Sequence, residues 1–293
     1  MKIKQTFGEN LFDTMNVLFL GLMCLVVLVP FLHIAAGSFS STNALIHSQV
    51  KVWPVHFNVD NYIKVMQNMA FWSSFKISII ITVLGTALNM FLTVIMAYPL
   101  SKAGLKGRKF FMLMIIFTMI FSAPLIPSYF VVKSFGMLNT IWALIIPSAL
   151  SVFNMILCYT FFRNLPEELF EAARVDGMSE YGILFRIALP LSLPILVTLT
   201  LYYAVGHWNN YSAALIYITK PALRPLQLYL YSMIAQGNLG DVNSTVNELA
   251  TLDTSPEGLK MATILVATVP IMLIYPFIQK HFIKGTLVGS VKG

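Results

Sequence analysis

Six long stretches of this chain carry no Asp, Glu, Lys or Arg: Met15–Ile34, Ile77–Ala97, Phe110–Val132, Thr140–Phe162, Leu191–Tyr211 and Met261–Ile278. At 1.5 Å per residue, about 20 residues cover a hydrocarbon core of roughly 30 Å, so each stretch is long enough to cross a bilayer once. Backbone amides find no water inside lipid, and uninterrupted runs of this length must therefore be helices. The charge content agrees: 11% of the residues are charged, against about 25% in ordinary globular chains. The predicted fold class is an all-α membrane protein with six transmembrane helices, forming a single domain over residues 1–293.

Pro30, Pro124, Pro127, Pro147, Pro194 and Pro270 fall inside these runs. Spanning helices tolerate proline where neighbouring groups satisfy the freed carbonyls, and kinks are expected at these positions. Met15–Ile34 is longer than the h-region of a signal peptide and lacks an A-x-A cleavage site, so it is read as the first span. With the N-terminus inside, the inner segments hold Lys2, Lys4, Lys102, Lys106, Arg108, Lys109, Arg163, Arg174, Arg186, Lys280, Lys284 and Lys292. The outer segments hold Lys51, Lys64, Lys76, Lys133, Lys220, Arg224 and Lys260. This excess of cations places both termini in the cytoplasm.

A net charge of +7 suits loops that face anionic headgroups of membrane lipid. No basic stripe with interleaved aromatics is present, which argues against nucleic acid. Cys24 and Cys158 lie within spans without a C-x-x-C pair and read as small packing residues. His33, His47, His56, His207 and His281 are scattered, with no H-E-x-x-H, so no metal site and no intramembrane catalytic centre is expected. None of the six runs contains a carboxylate, which disfavours the alternative of an ion-coupled secondary sugar transporter.

Two outer loops stand out. In residues 37–76, Asn58 is a candidate N-cap, and Tyr62, Val65, Met66 and Met69 repeat at helical spacing, which predicts a short amphipathic helix on the outer membrane surface. Residues 212–260 read as a long loop with a turn at Gly237-Asn238-Leu239-Gly240-Asp241.

The segment 163–190 carries the most specific pattern. Leu165-Pro166-Glu167-Glu168 places proline and acids where a helix begins. Glu171-Ala172-Ala173 follows, then Gly177 after three further residues, then Ile187, Leu189 and Pro190 after nine more. The alanines allow close approach to another surface, Gly177 permits a sharp turn, and Glu171 and Arg174 stand i, i+3 as a candidate ion pair. A helix-turn-helix ending at Leu189-Pro190 is predicted.

In this spacing the segment resembles the cytoplasmic loop by which permeases of ABC importers dock on their ATPase. Asn61-Tyr62, Trp208-Asn209 and the tail through Pro276, Gln279, Phe282, Gly285, Val291, Lys292 and Gly293 extend the likeness to the carbohydrate-uptake, MalG-like branch. Within that branch the chain resembles the LplC and YtcP group, whose members are associated with oligosaccharides including uronates and alginate.

The resemblance implies the MetI-like permease fold in one permease domain of the bacterial inner membrane. It implies four kinds of partner: a second homologous permease subunit, two ABC ATPase subunits, an extracytoplasmic sugar-binding protein and membrane lipid. ATP and Mg would sit on the ATPase subunits and no cofactor on this chain, which is not itself an enzyme and has no G-x-x-x-x-G-K-[ST] loop. Glu171, Ala172, Ala173, Gly177, Ile187, Leu189 and Pro190 would couple to the ATPase, and Val291, Lys292 and Gly293 would reach into its dimer interface.

Polar residues within spans are costly unless they meet a cavity or a partner helix. Asn89, Asn154, His207, Asn209 and Asn210, with Tyr203, Trp208 and Tyr211 to stack on sugar rings, are therefore the candidates for a substrate path. Lys133, Lys220 and Arg224 on the outer side would attract an acidic oligosaccharide such as an oligouronate, and a neutral sugar is the alternative.

Overall fold

The computed structural model describes residues 7–121, 123–239 and 255–290, and every regular element among them is helical. In chain order the first helices are α1 (Phe7–Ser38), α2 (Thr42–Ile46), α3 (Asp60–Gln67), α4 (Met69–Ser101), α5 (Arg108–Ile120) and α6 (Leu125–Ser134). Next come α7 (Trp142–Ile145), α8 (Val152–Arg163), α9 (Glu167–Val175), α10 (Glu180–Ile183) and α11 (Leu189–Leu191). The last are α12 (Leu193–Asn209), α13 (Ser212–Tyr217), α14 (Leu226–Leu239) and α15 (Pro256–Ser290).

Three helices, α1, α4 and α15, are long and apolar enough to cross alone, and three bent pairs bring the number to as many as six. The third predicted span is divided between α5 and α6. The fourth joins α7, with its 3-10 extension Ile146–Ser148, to α8 at 51°. The fifth begins at Leu193, and the preceding segment Glu180–Leu191 leaves it at 82°. Prolines stand beside the breaks: Pro124 is the N-cap of α6, Pro147 lies in the 3-10 turn that precedes the 51° bend, and Pro194 is in the first turn of α12. By contrast, α1 continues through Pro30, α15 continues through Pro270, and Pro127 sits in the first turn of α6, where its missing N–H costs nothing.

The described chain divides into two compact units, Met1–Met69 with Ser232–Thr268, and Ala70–Tyr231 with Val269–Gly293. In the first, the end of α1 packs against α2, α3 and the start of α15. Gly37 makes this possible, because a Cβ there would lie 2.1 Å from Met261 Sδ. The Asn61 amide donates to the Ser38 carbonyl at 3.2 Å, and the Ser38 and Tyr62 hydroxyls are 2.8 Å apart. Tyr62 also stacks on Phe39, and Val65 is buried. One side of α3, with Asn61, Val65 and part of Tyr62, thus packs on protein, while Met66 and Met69 of the predicted apolar repeat are exposed. Its N-cap is Val59, while Asn58 accepts from the Asp60 N–H.

In the second unit, α4 is the organising element. One buried cluster surrounds its end: Ala97, Tyr98 and Leu100 pack with Met155, Cys158 and Phe162 of α8 and with Phe170 and Ala173 of α9. A second cluster gathers Ile81, Val132, Leu144, Ile145, Ala214 and Tyr217. The predicted loop 212–260 is largely helical where described. The α14 helix runs through Gly237 to Leu239, and one glycine within a helix rich in Leu, Gln, Met and Ala costs only about 1 kcal/mol.

Candidate functional site

The segment that follows α8 is built by local hydrogen bonding. Pro166 occupies the N-cap position of α9 without a side-chain hydrogen bond, and the first turn holds Glu167 and Glu168. The helix ends in a Schellman arrangement: the Met178 N–H donates to the Ala173 carbonyl (2.9 Å) and the Gly177 N–H to the Arg174 carbonyl (3.0 Å). Gly177 has φ +75°, a left-handed conformation that glycine adopts without strain. Ser179 then caps α10 by accepting from the Gly182 N–H. The helix does not stop at Leu189-Pro190. It continues through a π turn over Leu184–Ala188 to Leu191, and Ser192 breaks it.

Arg174 pairs with Glu167 (3.4 Å) and Glu180 (3.0 Å), tying the two arms of the loop together. These contacts replace the expected Glu171–Arg174 pair; Glu171 is exposed. Hydrogen bonding to Glu180 holds the guanidinium pKa above its ordinary value. Phe170 and Ala173 turn inward and are buried, while Leu169, Glu171, Ala172, Val175 and Gly177 remain exposed. Ala173 is therefore part of this chain's own core, and the free surface of the motif lies on Ala172 and its neighbours.

The inward face of α9 meets the end of α4. The Lys102 ammonium lies 3.2 Å from the centroid of the Phe170 ring and 5.1 Å from that of Tyr98. The Tyr98 hydroxyl donates to Glu180 Oε2 at 3.3 Å. Burial pulls the Lys102 pKa below the ordinary lysine range, and the nearby carboxylates of Glu167 and Glu180 act in the opposite direction. Arg108 donates to the Tyr159 hydroxyl at 2.6 Å, so a second cation of the same short connection rests on α8. Tyr98, Lys102, Arg108 and Glu180 were absent from the sequence candidates. The only sequence signal was the density of cations after the second span.

Further along α4 runs a row of buried polar side chains: Ser74, Ser78, Thr86, Asn89 and Thr93. The Asn89 amide donates to the Ser148 carbonyl at 2.7 Å, and its Oδ1 is 2.7 Å from His207 Nε2. The Thr93 and Tyr203 hydroxyls are 2.7 Å apart, and the Tyr203 hydroxyl accepts from the Ser151 N–H at 3.3 Å. His207 lies flat over Gly85, where a Cβ would come within 2.5 Å of Nε2. Asn89, Tyr203 and His207 thus fasten α4, α12 and the bend before α8 to one another. A small cavity beside them is lined by Ser78, Ile81, Leu144, His207, Asn210 and Pro225.

The other path candidates separate. Asn154 is buried in the first turn of α8, where its N–H donates to Ser151. Trp208 is buried edge-on to Phe75, and its indole N–H has no partner, as is also true of the Thr86 hydroxyl. Asn209 is exposed, and Tyr211 stacks on Tyr231 at 5.1 Å. Val291, Lys292 and Gly293 lie outside the described residues. Among the described residues no group of three or more His, Cys, Asp or Glu is placed to hold a metal ion.

Residues 87–288 match the family model described as "Binding-protein-dependent transport system inner membrane component". The chain is 46% identical to Protein LplC of Bacillus subtilis (strain 168), over 98% of this chain and 97% of that one. It is 42% identical to the polygalacturonan/rhamnogalacturonan transport system permease protein YtcP of the same organism, over 97% and 99%. Its fold superposes with a TM-score of 0.90 on a chain of a bacterial ABC transporter involved in the import of the acidic polysaccharide alginate. That likeness is 32% identical and covers 96% of this chain and 100% of the other.

Proposed function

This chain belongs to the binding-protein-dependent transport system inner membrane components, and from that premise we propose how it works. It is a multi-pass inner-membrane permease of an ABC importer for oligosaccharides, in the LplC and YtcP subgroup and with the MetI-like fold. It acts as one permease domain that hydrolyses no ATP and borrows the energy from two ATPase subunits carrying ATP and Mg. With a second permease subunit and an external sugar-binding protein it alternates access across the membrane.

The exposed face of α9 carries this reading. Leu169, Ala172, Val175 and the Gly177 turn present small and apolar groups at the end of a stiff, ion-paired hairpin. We assign to Glu171, Ala172, Gly177 and the following Ile187, Leu189 and Pro190 the contact that transmits ATPase movement. Ala173 supports it from below, and Val291, Lys292 and Gly293 form a second contact. Asn89, Asn154, Tyr203, His207, Trp208, Asn209, Asn210 and Tyr211 border the path; the unpartnered Thr86 hydroxyl and Trp208 indole N–H support this, since sugar hydroxyls would satisfy them. Both termini face the cytoplasm.

The substrate we favour is an acidic oligosaccharide. Its support is the likeness to the polygalacturonan/rhamnogalacturonan permease and to the alginate importer, together with exposed Lys133 and Lys220 and the neighbouring Arg224. In liposomes holding the assembled complex and its binding protein, oligouronates should stimulate ATP hydrolysis and import, and neutral maltodextrins of equal length much less. Stimulation by neutral sugars alone would reject the acidic substrate. Gly177→Asp should abolish coupled import: no atom of the chain itself crowds position 177, so the added side chain projects onto the exposed face, and at φ +75° it also strains the turn by about 1–2 kcal/mol. For orientation, a cysteine at Lys106 should resist an impermeant thiol reagent added to intact cells, whereas one at Lys220 should react.

A further inference from the structure

The last turn of α4 touches both arms of the coupling hairpin. Lys102, the residue immediately after the helix, places its ammonium 3.2 Å from the Phe170 ring centroid on α9, and Tyr98 donates to Glu180 on α10. Phe170 directly precedes Glu171-Ala172-Ala173 and is 1% exposed, so the ring under the cation is sealed from water on its other side. A cation over an aromatic face is held by the ring quadrupole, more firmly as water is excluded. Apolar packing alone has no preferred direction and permits sliding. A half-buried ammonium centred on one ring, with Glu167 and Glu180 nearby, does not slide without losing that contact. The same α4 carries Asn89 and Thr93, whose side chains bond to His207 and Tyr203 of α12.

We propose that Lys102 is a positioning residue that locks the end of α4 to α9 through the Phe170 ring, so that displacement of α9 is delivered to α4 and through Asn89 and Thr93 to α12. The proposal rests on the coupling role assigned to α9, but it has a readout that needs no ATPase. In the full chain in lipid nanodiscs, amide hydrogen exchange across residues 167–178 should quicken about fivefold in Lys102→Met, which keeps the length and removes the charge. Lys102→Arg should restore the wild-type rate, which a loss of packing alone would not explain. In the complete importer, Lys102→Met should keep ATP hydrolysis and lower import per ATP by about fivefold, with recovery in Lys102→Arg. Equal exchange in wild type and Lys102→Met, or no rescue by arginine, overturns the lock. Faster exchange with an unchanged ratio of import to ATP overturns the transmission. Absence of import in the wild-type complex would instead reject the coupling role of α9, and the exchange rates would still judge the lock.

Discussion

The coupling hairpin and the polar row on α4 are both held by hydrogen-bonded polar side chains, but they answer opposite problems. In the hairpin the partners are neighbours: Arg174 reaches Glu167 and Glu180 across seven and six residues, and Ser179 takes an N–H three residues on. The groups are largely exposed, each bond contributes little, and the shape is set by backbone turns. In the row the partners are 59 to 118 residues apart and buried, where no water can replace a lost bond. A surface for a partner is built locally and cheaply, whereas the register of three spans depends on a few distant contacts.

Four substitutions test that contrast. The largest effect is expected inside the hairpin, where it meets the core. Ala173→Asp places a carboxylate at a buried site, costing about 3–5 kcal/mol, and should abolish recovery of folded permease from detergent. Recovery of folded but uncoupled protein would put Ala173 on the partner surface after all. Asn89→Leu should come next. It strands the Ser148 carbonyl and His207, and thermal unfolding in nanodiscs should report a loss of about 2 kcal/mol. Arg174→Met removes both exposed ion pairs and should cost about 1 kcal/mol or less, with the loss shrinking in high salt. Thr93→Val, isosteric but unable to bond Tyr203, should cost about 0.6 kcal/mol, the average for such contacts between membrane helices. If Arg174→Met proved more damaging than Asn89→Leu, the division between local and distant support would fail.

The same contrast explains what could be read beforehand. The six apolar runs gave the helical membrane class because the period and length of a span are written in consecutive residues. The Gly177 turn was legible because a left-handed residue at a helix end favours glycine. In sequence Glu171 is the acid at i, i+3 to Arg174, but the turn at Gly177 brings Glu180 within reach instead. Lys102 on Phe170 and Asn89 against Ser148 join residues 59 or more positions apart and leave no periodic trace. The apolar repeat of α3 is legible, but not that Tyr62 and Val65 pack on protein while Met66 and Met69 are exposed, because residues that pack on lipid and residues that pack on Phe39 have the same composition.

The 51° bend between α7 and α8 has a chemical consequence. It interrupts the helix just after Ser148, whose carbonyl is taken up by the Asn89 amide. A carbonyl can only accept, so Asn89 must turn its NH₂ group there and its oxygen toward His207. The imidazole then has to carry hydrogen on Nε2, which selects one tautomer and leaves Nδ1 as the basic nitrogen of the neutral ring. Where the proton sits in α12 is decided by a bend in another span.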